Sequence, residues 1–313
     1  MQTKNKHAAT ITFLLFFCLV LPIALSLSTV LEPANIEVSS ANPTPLGYTI
    51  SLSLFVFPMM VLLTWFLRRR DLRLQKQAFK HVMLLLVPTG IILDVLFGHT
   101  FFSFDNHHAV IGWMFPALGG GLPVEELVFY LSGFVVVLLF YIWCDEYWFA
   151  AYNIPDYVAE GEKVKRILTF HPVSLIVAVF LIVTAVIYKK MFSCSPSGMP
   201  WYLMYLVLIG LLPSSGLYPS VRSLINWRAF SFTSLVIVLI SLIWEVSLAL
   251  VYGWWGFRPE AMMGFYIEPW NHLPLEEVIL WFAVSYTTII IYEALKLWKA
   301  SGKKFRMAFF GVK

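Results

Sequence analysis

Charge is what this sequence has least of. Asp, Glu, Lys and Arg supply 13% of its 313 residues, while 59% are hydrophobic, against roughly 25% charge in an average soluble domain. Cysteine is scarce too. Cys18, Cys144 and Cys194 form no CxxC pair and no metal-ligand spacing with histidine, so a disulfide framework is not indicated and small apolar fillers are the simpler account. No GxGxxG fingerprint, no haem-attachment CxxCH and no dense histidine array is present. Dinucleotide, c-type haem and histidine-rich di-iron chemistry therefore lack their sequence signatures.

Long apolar runs fill the chain instead. They fall at 11–31, 49–67, 80–98, 122–144, 170–191, 201–218, 232–252 and 273–295, each near the roughly 20 residues that cross a hydrocarbon core. The expectation is an all-α polytopic membrane protein of about eight transmembrane helices. Pro213 and the polar residues after it make the end of the sixth run the least defined. The first run follows Lys4 and Lys6 and gives way to Ser26-Leu27-Ser28, which also suits a cleaved signal peptide. A retained helix is preferred because it restores symmetry between the halves.

With the N-terminus inside, an eight-span chain puts 19 of its 22 Lys and Arg residues on the inner side, leaving only Lys189, Lys190 and Arg258 outside. That bias orients both termini toward the cytoplasm. The run Arg68-Arg69-Arg70-Asp71-Leu72-Arg73 reads as a topology signal in contact with anionic lipid rather than as a nucleic-acid patch.

The acids that remain are arranged twice. Leu122-Pro123-Val124-Glu125-Glu126 recurs 151 residues later as Leu273-Pro274-Leu275-Glu276-Glu277, and the same offset relates Asp94 to Glu245. Each half thus carries one carboxylate 31 residues ahead of a Glu-Glu pair. The offset predicts two parallel four-helix repeats, residues 1–148 and 170–313, joined by a polar linker at 149–169. All six acids then fall toward one leaflet. Ionisable groups at membrane depth are expensive, so matched sets point to a functional cavity. Glu125, Glu126, Glu276 and Glu277, at helix starts, are favoured there as anions. Asp94 and Glu245 lie away from helix starts and are the better proton holders. Glu293, followed by Lys296 and Lys299, reads as a satisfied interfacial residue.

Aromatic residues surround these acids. Phe129 and Tyr130 follow the first Glu-Glu pair by one helical turn, and Leu280 and Trp281 follow the second. The connections hold Phe104, and Trp254, Trp255 and Phe257. Such rings fit either an interfacial belt or the roof of a dry pocket. Asp105, His107 and His108 could meet a metal, but more simply cap a loop. Acids and ring faces at membrane depth, with no cofactor motif, suit acid-initiated chemistry on an apolar isoprenoid. A carboxylic acid protonates an alkene, and ring faces and carboxylates hold the cation.

These motifs resemble the membrane lycopene cyclase domain of carotenoid pathways, which occurs as two small subunits or a fused protein. The second half is the closer match, with Trp244-Glu245, Tyr252-Gly253-Trp254-Trp255-Gly256-Phe257, Gly264-Phe265-Tyr266-Ile267 and Leu273-Pro274-Leu275-Glu276-Glu277. The first keeps Asp94, Phe104-Asp105, Gly112 and Leu122 to Tyr130. The likeness covers residues 49–144 and 200–295. It departs from the family's pattern at Leu93-Asp94, where Trp is usual, and at Asn106-His107-His108.

The resemblance implies a lycopene beta-cyclase that converts the linear ends of lycopene to beta-ionone rings without net redox change, giving gamma- and then beta-carotene. It implies no cofactor and no metal, and residence in a prokaryotic plasma membrane. Asp94, Glu125, Glu126, Glu245, Glu276 and Glu277 would be catalytic. Phe104, Phe129, Tyr130, Trp244, Trp254, Trp255, Phe257 and Trp281 would bind substrate. The expected partners are an apolar carotenoid or other isoprenoid and membrane lipid, with no nucleic acid; a homo-oligomer is left open. The alternatives are another isoprenoid-modifying enzyme or a transporter, the latter needing an aqueous route that the aromatic loops suit poorly. A glutamate-based intramembrane protease would need histidines inside the spans, which supply almost none.

Overall fold

The computed structural model describes residues 12–17, 20–21, 23–24, 44–154 and 157–311. They form an all-α bundle with six helices long and apolar enough to cross a membrane, as expected of a polytopic membrane protein. These are α1 (Gly47–Arg68), α2 (Arg73–Phe101), α3 (Val124–Trp148), α4 (Pro172–Met191), α6 (Trp227–Ala249) and α7 (Leu275–Ser301). A shorter apolar helix, α5 (Trp201–Ser215), stands between α4 and α6. The expected first span lies mostly outside the described residues; those described within it are helical.

The largest difference from the apolar runs is at α2, which begins at Arg73, seven residues before the run at 80–98. Hydropathy misses charged helical turns. Nothing between Arg73 and Lys80 breaks a helix, and the preceding turn is closed by Arg69, whose guanidinium grips Asp71 at 2.7 and 2.9 Å. At α5 the regular ladder widens over Leu206–Leu211 before Pro213. Proline has no N–H and its ring crowds the carbonyl four residues back, so the turn before it opens. Similar wide turns close α3 and α6, where Phe149 N–H donates to Cys144 and Leu250 N–H to Glu245, each five residues back.

Three short antiparallel ladders fold the connections over the helix ends. β1 (Phe102–Ser103) pairs with β4 (Gly256–Phe257), joining the two halves. β2 (Met114–Ala117) pairs with β3 (Gly120–Pro123), and β5 (Tyr266–Ile267) with β6 (Leu273–Pro274).

At the other end of the bundle a second polar cluster is sealed in the core. Glu293 is fully buried and accepts from the Tyr141 hydroxyl at 2.8 Å and the Tyr157 hydroxyl at 2.5 Å. Expected at an interface, it is indeed satisfied, but inside the protein. Lys296 lies 3.6 Å from Asp145 and 4.3 Å over the Tyr157 ring. Tyr157 belongs to the expected linker, which is therefore woven into the bundle; burial first, then Glu293, raises its hydroxyl well above the ordinary tyrosine range, so it stays a donor. The short helix Val158–Lys163 packs so closely on α7 that a Cβ on Gly161 would stand 2.9 Å from the Ser301 backbone.

Candidate active site in an aromatic chamber

The Leu-Pro-x-Glu-Glu motif is a strand that becomes a helix, built the same way twice. Leu122-Pro123 pairs with Phe115 and Met114, and Leu273-Pro274 with Ile267 and Tyr266. Each proline ends its strand at φ near −60° and caps the helix, where its missing N–H costs nothing. The next residue donates back across the hairpin, Val124 to Trp113 at 2.9 Å and Leu275 to Phe265 at 3.0 Å.

Consecutive helical residues diverge by about 100°, and the two glutamates of each pair separate accordingly. The first one ties the loop to the helix start. Glu125 accepts from Ile111 N–H at 2.8 Å and from the Thr49 hydroxyl at 2.5 Å. Glu276 accepts from Met263 N–H. The second one, Glu126 or Glu277, turns inward. Glu126 accepts from the Tyr48 hydroxyl at 2.8 Å, and Glu277 faces the Tyr202 hydroxyl.

Glu126, Glu245 and Glu277 line one chamber between α1, α3, α6 and α7. Its free space, part of it open at the mouth, is about 710 Å³. Phe104, Phe129, Tyr130, Trp244, Trp255 and Trp281 form much of its wall, six of the eight expected substrate contacts. Ring centroids lie 5.2 Å apart for Trp244 and Trp255, 5.7 Å for Phe129 and Trp281, and 5.9 Å for Phe129 and Trp244. Such pairs contribute about 0.5–1.5 kcal/mol each beyond area burial, which makes the wall stiff. Among the described residues no Lys, Arg or His lines it.

Within the chamber Glu245 and Glu277 lie within electrostatic reach of each other. Trp255 Nε1 donates to Glu245 at 3.3 Å, and Trp281 approaches the same carboxyl. One oxygen of each acid, Glu245 Oε2 and Glu277 Oε1, has no hydrogen-bond partner. Asp94 lies in an adjoining cavity, near Tyr130 and within electrostatic reach of Glu126, and neither of its oxygens is hydrogen-bonded. Its place follows from Gly98, where a Cβ would come within 2.7 Å of Asp94 Oδ1. The repeat extends to these contacts, because Tyr130 and Trp281 are 151 residues apart, as are Asp94 and Glu245.

Two expected substrate contacts stand back from the chamber. Trp254 is buried, stacks on Tyr48 at 5.8 Å and donates to Thr44 at 2.8 Å, so it supports the wall from behind. Phe257 pairs with Phe102 through the β1–β4 ladder. Asp105 holds the Ser103 hydroxyl at 3.1 Å, and His107 and His108 are exposed in a tight turn. Among the described residues no group of three His, Cys, Asp or Glu side chains is placed to hold a metal ion.

Sequence reasoning missed Tyr48, Tyr202 and Lys189. Tyr48 and Tyr202 each occupy the second position of a helix, α1 and α5. Lys189, fully buried near the end of α4, donates to the carbonyls of Pro259 and Met262 at 2.8 and 2.6 Å. It thereby fixes the loop whose Met263 N–H reaches Glu276, and its charge faces that carboxylate. Compared with protein-family models, curated proteins and solved structures, the chain matches none.

Proposed function

We propose that the chain is a lycopene beta-cyclase of carotenoid biosynthesis, an isomerase that closes the linear ends of the polyene into beta rings by proton addition and proton loss. The observation that carries this reading is a chamber walled by indole and phenyl rings in which three carboxyl groups converge without a cation. Two neighbouring carboxyls in a dry site are not readily both ionised, so the Glu245–Glu277 pair supplies the proton. That proton adds to the terminal alkene and leaves a tertiary cation. The neighbouring alkene attacks it, forming the carbon–carbon bond of a six-membered ring and moving the cation onto the ring. The faces of Trp244, Trp255, Phe129 and Trp281 hold the positive charge. Glu126, with Tyr48 donating to it, takes up the ring proton and restores an alkene. One proton enters, one leaves, and the mass is unchanged.

We further read the chain as eight spans in two parallel repeats, with both termini cytoplasmic and residence in a prokaryotic plasma membrane; self-association into a homo-oligomer is compatible with it. Expression in a lycopene-accumulating host tests the activity. Red lycopene should give way to yellow cyclic products of identical mass without added flavin or metal. Unchanged lycopene beside correctly inserted protein would refute it.

A further inference from the structure

The acid chamber has a cavity on each side. One lies between α2, α5 and α7, with Asp94, Phe97, Ile209 and Gly210 in its wall and about 820 Å³ of space that includes its open mouth. It shares Tyr130, Phe134 and Val284 with the chamber. The other lies between α1, α3 and α6, with Ser51, Phe55, Ile240 and Ser241 in its wall and about 590 Å³. It shares Phe129, Gly133, Trp244 and Trp281 with the chamber.

The two cavities are counterparts under the internal repeat. Offsetting by about 151 residues carries α1 to α5, α2 to α6 and α3 to α7, so α2–α5–α7 in one corresponds to α6–α1–α3 in the other. They also face different ways. On α3 the first is met by residues 130 and 134 and the second by 129, 132, 133 and 136, directions about 130° apart at 100° per residue. Both reach the surface of the bundle. Thr89, Phe97 and Ile209 are exposed at the rim of the first, and Ser51, Phe55 and Ser241 are half-buried at the rim of the second.

We propose that these cavities are two lateral windows of one passage, and that a linear isoprenoid is drawn through it so that both of its ends are cyclised in a single binding event. The inference rests on the cyclase reading above. A chamber with one mouth obliges a long chain to back out after its first ring closes, turn around in the lipid and re-enter. With a second window the cyclised end moves forward and out, and the trailing end follows into the same acids. Each closure is the same balanced step, one proton added and one lost, and needs no co-reactant.

The test is the product ratio before about a tenth of the linear substrate has been consumed, in membranes containing the full chain. Two-ring product should exceed one-ring product from the earliest times, and excess unlabelled one-ring compound added with labelled linear substrate should not draw label out of the two-ring product. Gly210→Phe narrows the first window, where a Cβ meets only Thr287 Oγ1 at 3.7 Å. Ser241→Phe narrows the second. Each should lower the early two-ring to one-ring ratio by at least about tenfold while linear substrate is still consumed. One-ring product first in the unmodified protein, label trapped in the added one-ring compound, or an unchanged ratio in both variants would overturn the proposal. If a variant does not accumulate, the early ratio and label trapping of the unmodified protein decide. Failure of the cyclase reading looks different: the unmodified protein then forms no cyclic product at all.

Discussion

The two halves of the bundle use the same scaffold to hold their acids in different company. In the first half the lone acid, Asp94, sits in a side cavity, and Glu126 is met by the Tyr48 hydroxyl at 2.8 Å. In the second the lone acid, Glu245, stands in the chamber within electrostatic reach of Glu277, with an indole N–H on one oxygen. The first glutamates differ as well. Glu125 is held by Thr49 and a backbone amide, whereas Glu276 is held by a loop that Lys189 anchors. The comparison teaches that the shared motif sets where the carboxyl groups stand, while their partners differ between the halves. On the proposed mechanism the acid facing an acid is the proton donor and the acid under a hydroxyl is the acceptor.

The largest effect is expected at the acid pair. Glu245→Gln and Glu277→Gln preserve shape and should each lower turnover by about 10² to 10⁴-fold, the range of a positioned proton-transfer group, with the folded amount in membranes little changed. Asp94→Asn should cost at most about tenfold if it acts through the field at Glu126 rather than on the reacting carbon. Equal losses at Asp94 and Glu245 would break the asymmetry and make both halves catalytic.

A smaller effect, of another kind, is expected at the loop ties. Glu276→Ala leaves the buried Met263 amide unpaired, which costs about 1–3 kcal/mol, and Glu125→Ala frees the part-buried Ile111 amide at a smaller cost. The melting temperature in detergent should fall, with activity per folded molecule reduced less than in Glu277→Gln. Lys189→Met should resemble Glu276→Ala and not Glu125→Ala, because only the second loop hangs on that lysine. The reverse order of losses, Glu276 above Glu277, would put the reacting carboxyl on the other face of the helix.

The mildest test is of the shared side. Single cysteines at Ser103 and Glu260, in a chain lacking Cys18, Cys144 and Cys194, should react with an impermeant thiol reagent from outside intact cells. A cysteine at Gln77, exposed near the start of α2, should react only after permeabilisation. Ser103 pairs with Gly256 across the β1–β4 ladder, so labelling from opposite sides would contradict both the topology and the join between the halves.

Much of this was legible in the sequence for a physical reason. A carboxylate inside an apolar run is conspicuous, and a repeat of one makes its spacing readable, so Asp94, Glu125, Glu126, Glu245, Glu276 and Glu277 could be named directly. Proline ahead of Glu-Glu marks a helix start whatever surrounds it. Which glutamate faces inward was not legible, because that depends on the rotation of α3 and α7 within the bundle. Tyr48 and Tyr202 escaped because tyrosine is common in such a chain and their partners lie 78 and 75 residues away. Lys189 read as a topology charge near a helix end, and only the fold of the loop 253–272 over it turned it into a strut. The charged first turns of α2 escaped because hydropathy records what lipid tolerates and not where the backbone ladder begins.

Proton transfer from the Glu245–Glu277 pair to carbon is the proposed first step, and solvent deuterium reads it directly. Membranes containing the protein, equilibrated in D₂O and supplied with lycopene, should yield cyclic product carrying one deuterium for each ring formed, with Glu245→Gln and Glu277→Gln suppressing both product and label together. Cyclic product without deuterium, formed at undiminished rate in those variants, would contradict it.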